Sequence, residues 1–113
     1  MNPQNNPTLC ISVAEKPGKF GITVHNAGYR ALGLNFKSKT FAIDDIRGVI
    51  TGVRSLGIRG CSVSMPFKEK VIPLLDRLDP LAKKIGAVNT IVNQNGHLIG
   101  YNTDVIAAQQ SLQ

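Results

Sequence analysis

The chain has 113 residues, 42% of them hydrophobic and 18% charged, which suits one packed domain and excludes a disordered or fibrous class. A net charge of +6 attracts anions of any kind, but Lys and Arg are scattered singly or in pairs such as Lys37/Lys39 and Lys83/Lys84. No basic run and no ribonucleoprotein or zinc-finger spacing accompanies them, so a nucleic-acid binder is disfavoured and a solvated basic surface expected.

No apolar stretch approaches the roughly 20 residues of a membrane helix, and the start lacks the charged-then-apolar order of a signal peptide. A cytoplasmic protein with no membrane partner is the expectation. Cys10 and Cys61 both lie in apolar, strand-like runs and read as free buried thiols rather than a disulfide or metal ligands.

In chain order, residues 8–13 form a short β-branched run that predicts a first strand, followed by a loop over 14–21 carrying Pro17, Gly18 and Gly21. From Thr23 the apolar spacing of Val24, Ala27, Ala31 and Leu32 predicts a helix ending at Gly33, with His25 near its start. Residues 34–42, with Phe36 and Phe41, predict a second strand. Asp44 or Asp45 then caps a helix whose apolar positions Ile46, Val49, Ile50, Val53 and Leu56 lie on one face and which Gly57 ends.

A third strand is expected over 58–63, and the order strand, helix, strand, helix, strand implies parallel pairing. Beyond Lys68 a helical pattern is interrupted by Pro73. Asp79-Pro80 opens a short helix that Gly86 closes. Residues 87–92 and 97–101 read as strands of an antiparallel hairpin around Asn95-Gly96. Residues 104–113 look helical, and their abrupt end reads as a cut. The predicted fold is a three-layer α/β arrangement: a mixed, mostly parallel sheet with helices on both faces and one antiparallel hairpin near the C-terminus.

The residues with chemical potential gather around the stretch from Gly60 to Lys68, where a strand runs through Ser62 and Ser64 into a helix. Strand ends that feed helix starts are favoured ligand sites in α/β proteins. Lys68 falls in that helix's first turn, where a lysine can exchange a proton or hold an oxyanion; the alternative is a solvent-facing lysine beside Glu69. Asp104, at a strand end and helix start, reads as an N-cap that could also aim an oxygen at a ligand. Asn89 lies in an otherwise apolar strand and needs partners for its amide, either a ligand or a neighbouring loop. His25 and His97 lack metal spacing, and no nucleotide-phosphate fingerprint is visible, so neither metal nor cofactor is expected on this chain.

Three stretches, Val63-Ser64-Met65-Pro66-Phe67-Lys68, Gly86-Ala87-Val88-Asn89-Thr90 and Tyr101-Asn102-Thr103-Asp104, together resemble the shikimate dehydrogenase family in order and spacing. The resemblance implies that residues 1–113 are that family's N-terminal substrate-binding domain, with a C-terminal NADP-binding Rossmann domain absent from the chain. It further implies an oxidoreductase of aromatic amino acid biosynthesis interconverting 3-dehydroshikimate and shikimate with NADPH, inactive as this fragment alone. Lys68 and Asp104 match the family's catalytic pair. Ser62, Ser64, Asn89 and Thr103 fall at substrate-binding positions, with Ser62 standing where the family usually has Asn and Ser64 where it usually has Thr.

One departure bears on the substrate. Where the family usually has a Ser-x-Ser pair, this chain reads Lys19-Phe20-Gly21, which loses two hydroxyls and offers Lys19 as a cation for a carboxylate. The expected partner is therefore a small shikimate-like carboxylate, with altered preference or weak shikimate activity. A non-catalytic carboxylate-binding module is the alternative, and a homodimer stays open.

Overall fold

The computed structural model describes residues 8–15, 36–104 and 106. In chain order these form β1 (Thr8–Ala14), β2 (Phe36–Ala42), α1 (Ile46–Leu56), β3 (Gly60–Val63), α2 (Phe67–Lys70), a 3-10 turn (Ile72–Leu74), β4 (Arg77–Leu78), α3 (Pro80–Ile85), β5 (Thr90–Gln94) and β6 (His97–Tyr101). The helix expected from Thr23, Lys19 and His25 lie outside the described residues. So does most of the helix expected at the end.

Local chemistry accounts for the boundaries. Asp45, not Asp44, caps α1 by accepting from Gly48 N–H at 3.0 Å. Gly57 closes the helix in the left-handed region at φ 66°, where its N–H bonds Arg54 and Val53 carbonyls. Between these ends Ile46, Ile50 and Val53 recur at four and three residues and are buried. Pro73, which has no N–H to give, limits α2 to one turn and leaves a 3-10 turn behind it. Asp79 accepts from Leu81 N–H with Pro80 first in α3, and Gly86 ends that helix at φ 77°.

The six strands lie in the order β2-β1-β3-β5-β6-β4. β1 runs parallel to β2 and to β3, and β4 parallel to β6. The hairpin forms where Asn-Gly predicts it, with Asn95 at φ 55° and Gly96 at φ 90°, the two positive angles of a type I′ turn. Its first strand, β5, also runs antiparallel to β3, a second antiparallel pairing that the hydrophobic pattern does not announce. Two strands start later than expected: β3 at Gly60 and β5 at Thr90. Residues 87–89 instead enter the sheet through loop bonds, among them Val88 N–H to the Lys68 carbonyl at 2.9 Å.

Strand alternation sorts the sheet into two unlike faces. One face presents Ile11, Val13, Cys61, Val63, Ile91 and Leu98 to α1, α2 and α3 in a single apolar cluster that includes Ile50, Val53, Phe67, Val71 and Ala82. The other carries Cys10, Ser12, Ser62, Thr90, Val92 and Ile99, all buried. Ser12, Ser62 and Thr90 are cross-strand partners, so three hydroxyls form a row through the middle of the sheet. The two cysteines fall on opposite faces and remain free thiols, as expected. Burial pushes the Cys61 thiol up to about 12 and Cys10 to about 11, which keeps both protonated and unreactive at neutral pH.

Candidate active site

The pairing of parallel β1 and β3 ends at Val13 and Val63, and the segment that follows β3 turns over that end. Ser64 N–H donates to the Val13 carbonyl (3.0 Å) and Phe67 N–H to the Ser64 carbonyl (3.0 Å), folding residues 64–67 into a tight turn with a cis Met65–Pro66 bond. That turn leaves Ser64 and Lys68 half-buried and Met65 exposed. Lys68 thus stands on a single-turn helix at the carboxyl ends of parallel strands, where α/β proteins form their ligand crevices.

Asn89 is the hub that joins the three stretches. Its backbone carbonyl accepts from Val63 N–H (2.8 Å), and its own N–H donates to the Tyr101 carbonyl (3.0 Å). The side-chain Oδ1 accepts from Thr103 N–H (2.9 Å), Thr103 Oγ1 (3.2 Å) and Thr90 Oγ1 (3.1 Å). Since a backbone N–H can only donate, the atom facing Thr103 must be the carbonyl oxygen, which fixes the orientation of the amide. Its NH₂ then has no partner among the described residues.

This arrangement answers the question posed by a polar residue in an apolar stretch: Asn89 holds the neighbouring segment. The chain at Thr103 begins a helical turn, with residues 103, 104 and 106 helical and Ile106 N–H bonded to the Asn102 carbonyl (3.3 Å). Asp104 accordingly lies inside the first turn rather than at its cap, a place where the helix's exposed N–H groups favour a carboxylate. It is exposed, whereas Asn102 and Thr103 are buried, and Asn102 Nδ2 ties the segment to the Ala87 carbonyl (3.3 Å).

The sequence-predicted residues are therefore not all alike. Lys68, Asn89, Thr103 and Asp104 are brought to one end of the sheet by consecutive bonds, and Ser64 stands at the same strand end. Ser62 is one strand pleat deeper and fully buried, and its Oγ has no partner among the described residues. The hydroxyl row to which Ser62 belongs escapes sequence reasoning, although a serine or threonine among the apolar residues of each of three strands was the available signal. His97 is exposed on β6, and among the described residues no group of three or more His, Cys, Asp or Glu could hold a metal. No described helix is long and apolar enough to cross a membrane.

A mixed α/β sheet with lysine, aspartate and amide groups gathered at the carboxyl ends of parallel strands defines a small-molecule-binding domain. Residues 20–91 match the family described as the shikimate dehydrogenase substrate binding domain, and the chain belongs to that family. It is 58% identical over 99 residues to a shikimate dehydrogenase-like protein of Haemophilus influenzae, covering 88% of this chain and 36% of that protein. With a shikimate dehydrogenase (NADP(+)) of Streptococcus pyogenes it shares 42% identity over 111 residues, 93% of this chain and 38% of the relative. A crystal structure of shikimate 5-dehydrogenase from Listeria monocytogenes in complex with shikimate and NAD superposes with a TM-score of 0.74 at 34% identity, covering 94% of this chain and 38% of that one. The chain thus spans little more than a third of the length of the relatives it matches.

Proposed function

We propose that the chain is the substrate-binding and acid–base part of an NADP-dependent dehydrogenase of the shikimate and quinate type. The observation that carries this reading is the Asn89 clasp, which ties the segment bearing Asp104 and the turn bearing Lys68 to one strand end. Reducing a ring ketone such as that of 3-dehydroshikimate requires a proton on oxygen as a hydride reaches carbon. The nicotinamide, held by a domain outside this chain, supplies the hydride.

Lys68, as an ammonium, donates the proton to the developing alkoxide and takes it back in the oxidative direction. Asp104 orients and balances that charge. The Asn89 NH₂ and the hydroxyls of Thr103 and Ser64 contact substrate hydroxyls. Ser62, wholly buried, gives the site a polar floor instead of a direct contact. Lys19 would meet the substrate carboxylate in place of the two serine hydroxyls, which predicts a changed substrate preference or weak activity on shikimate. On this reading the nicotinamide is held outside the 113 residues, so the chain alone is expected to be inactive.

The test is NADP-dependent oxidation of shikimate and quinate by the full-length protein, beside Lys68→Ala and Asp104→Ala. A fall in kcat of roughly 10²–10⁴-fold for Lys68→Ala is expected if it is the acid–base group. Equal rates in wild type and both variants would refute the assignment, and substrate binding without turnover would favour a carboxylate-binding module.

A further inference from the structure

At the other end of the sheet, about 16 Å along β3 from Ser64, lies a cleft built on different residues. It encloses about 370 Å³ and is lined by Arg54, Gly57, Arg59, Asn93, Asn95 and Gly96. A neighbouring hollow of about 320 Å³ shares Arg59, Asn93 and Asn95, so the Arg59 side chain lines both. Neither includes Lys68, Asn89 or Asp104.

The two arginines are held rather than loose. Arg54 donates Nε to the Gly96 carbonyl (3.3 Å) and Nη2 to the Leu74 carbonyl (3.3 Å) and Asp76 Oδ2 (2.9 Å). Arg59 donates Nη1 to the Asn93 carbonyl and is half-buried. Asn93 is itself locked, giving Nδ2 to the Val53 carbonyl (3.1 Å) and accepting Gly96 N–H on Oδ1 (2.7 Å), so the cleft wall is preformed. Fixing these groups before a ligand arrives removes much of the ordering cost of binding.

Charge in the cleft is unbalanced. Asp76 pairs with Arg54, while Arg59 has no carboxylate within ion-pair distance among the described residues. Arg54 Nη1 and most of the Arg59 fork likewise have no acceptor among the described residues. Two guanidinium groups with spare N–H donors, one of them half-buried and without a counter-charge, match the paired acceptors of a tetrahedral oxyanion. We propose that this cleft binds a small phosphate-type oxyanion between Arg59 and Arg54.

The test is a titration of the ¹⁵N-labelled chain with inorganic phosphate at constant ionic strength, followed by amide shifts. Saturable shifts at Arg59, Asn95 and Gly96 are expected, with half-saturation on the order of millimolar. Arg59→Gln keeps a donor for the Asn93 carbonyl but removes the charge, and should weaken binding by about tenfold. Arg59→Lys keeps the charge but loses the fork, and should fall between the two. Shifts that rise without saturation, that appear only around Ser64 and Lys68, or that are unchanged in Arg59→Gln would each overturn the proposal. If Arg59→Gln does not fold, the wild-type titration and Arg59→Lys still decide it.

Discussion

Replacing Asn89 with alanine removes the one side-chain acceptor that serves Thr103 N–H, Thr103 Oγ1 and Thr90 Oγ1 at 2.9, 3.2 and 3.1 Å. The two hydroxyls can rotate toward other acceptors, but the Thr103 N–H is fixed by the backbone. It is also among the first N–H groups of a helical turn, which have no intrahelical carbonyl to use. Leaving such a donor unsatisfied and buried costs about 1–3 kcal/mol, and the space vacated by the amide adds roughly 1 kcal/mol. A total near 3 kcal/mol would lower the Tm of a chain of this length by about 12 °C. Urea denaturation followed by circular dichroism measures the loss, and hydrogen exchange at the Thr103 amide reports whether the clasp is its source. Asn89→Asp, which retains the acceptor, should keep that amide protected where Asn89→Ala does not. A loss below about 0.5 kcal/mol, within the range of ordinary surface changes, with Thr103 protection unaltered would refute the clasp.

Two further outcomes follow from packing and charge. At Gly100 an added Cβ would sit 2.7 Å from Leu75 Cδ1 and Val88 Cγ2 and 3.0 Å from Leu78 Cδ2. Gly100→Ala should therefore destabilise the chain by about 1–3 kcal/mol through overpacking, seen as a lower urea midpoint; an unchanged midpoint would show that these side chains move aside freely. Asp76 accepts from Leu98 N–H (2.7 Å) and from Arg54 (2.9 Å), and those bonds, the first foremost, hold its carboxyl below the ordinary 3.8. Because the folded value is the lower one, the stabilisation is complete above the unfolded value and is lost as pH falls through the folded one. Stability should thus drop as pH falls through the ordinary carboxylate value and below it, more steeply in wild type than in Asp76→Asn; identical acid limbs would refute the assignment.

What the sequence made legible follows from how local each signal is. α1 was readable because cap, apolar face and terminating glycine all lie within thirteen consecutive residues, Asp45 to Gly57. The hairpin was readable because Asn95-Gly96 dictates its own geometry. β4, by contrast, is two residues held by Asp76 N–H to the Leu98 carbonyl and Asp79 N–H to the Gly100 carbonyl, too short for any periodic pattern. The site divides in the same way. Lys68 and Asp104 were marked by strand-to-helix punctuation around them. The choice at Asn89 between ligand contact and structural tie depended on Thr103, fourteen residues away, and so on tertiary geometry. The complete burial of Ser62 depends on its position in a row contributed by three strands.

The direction of β5 explains how distant stretches come to share one site. Had β5 run parallel to β3, its first residue would lie beside Gly60, and Asn89 would be at the Arg59 end of the sheet. Because it runs antiparallel, Thr90 pairs with Ser62 and Asn89 falls beside Val63. The two-residue turn then sends β6 straight back, so Thr90 pairs with Tyr101 and residues 102–104 emerge at the same end. The hairpin thus delivers its entry and its exit to the turn that carries Lys68, and Asn89 fastens one to the other. The same reversal places the tip, Asn95-Gly96, beside Arg54 and Arg59, so one five-residue ladder sets the spacing between both clusters of charge. Adding one residue to β6 while keeping the turn would switch the face presented by the residues beyond the insertion, and the segment bearing Asp104 would leave Asn89 without its partner.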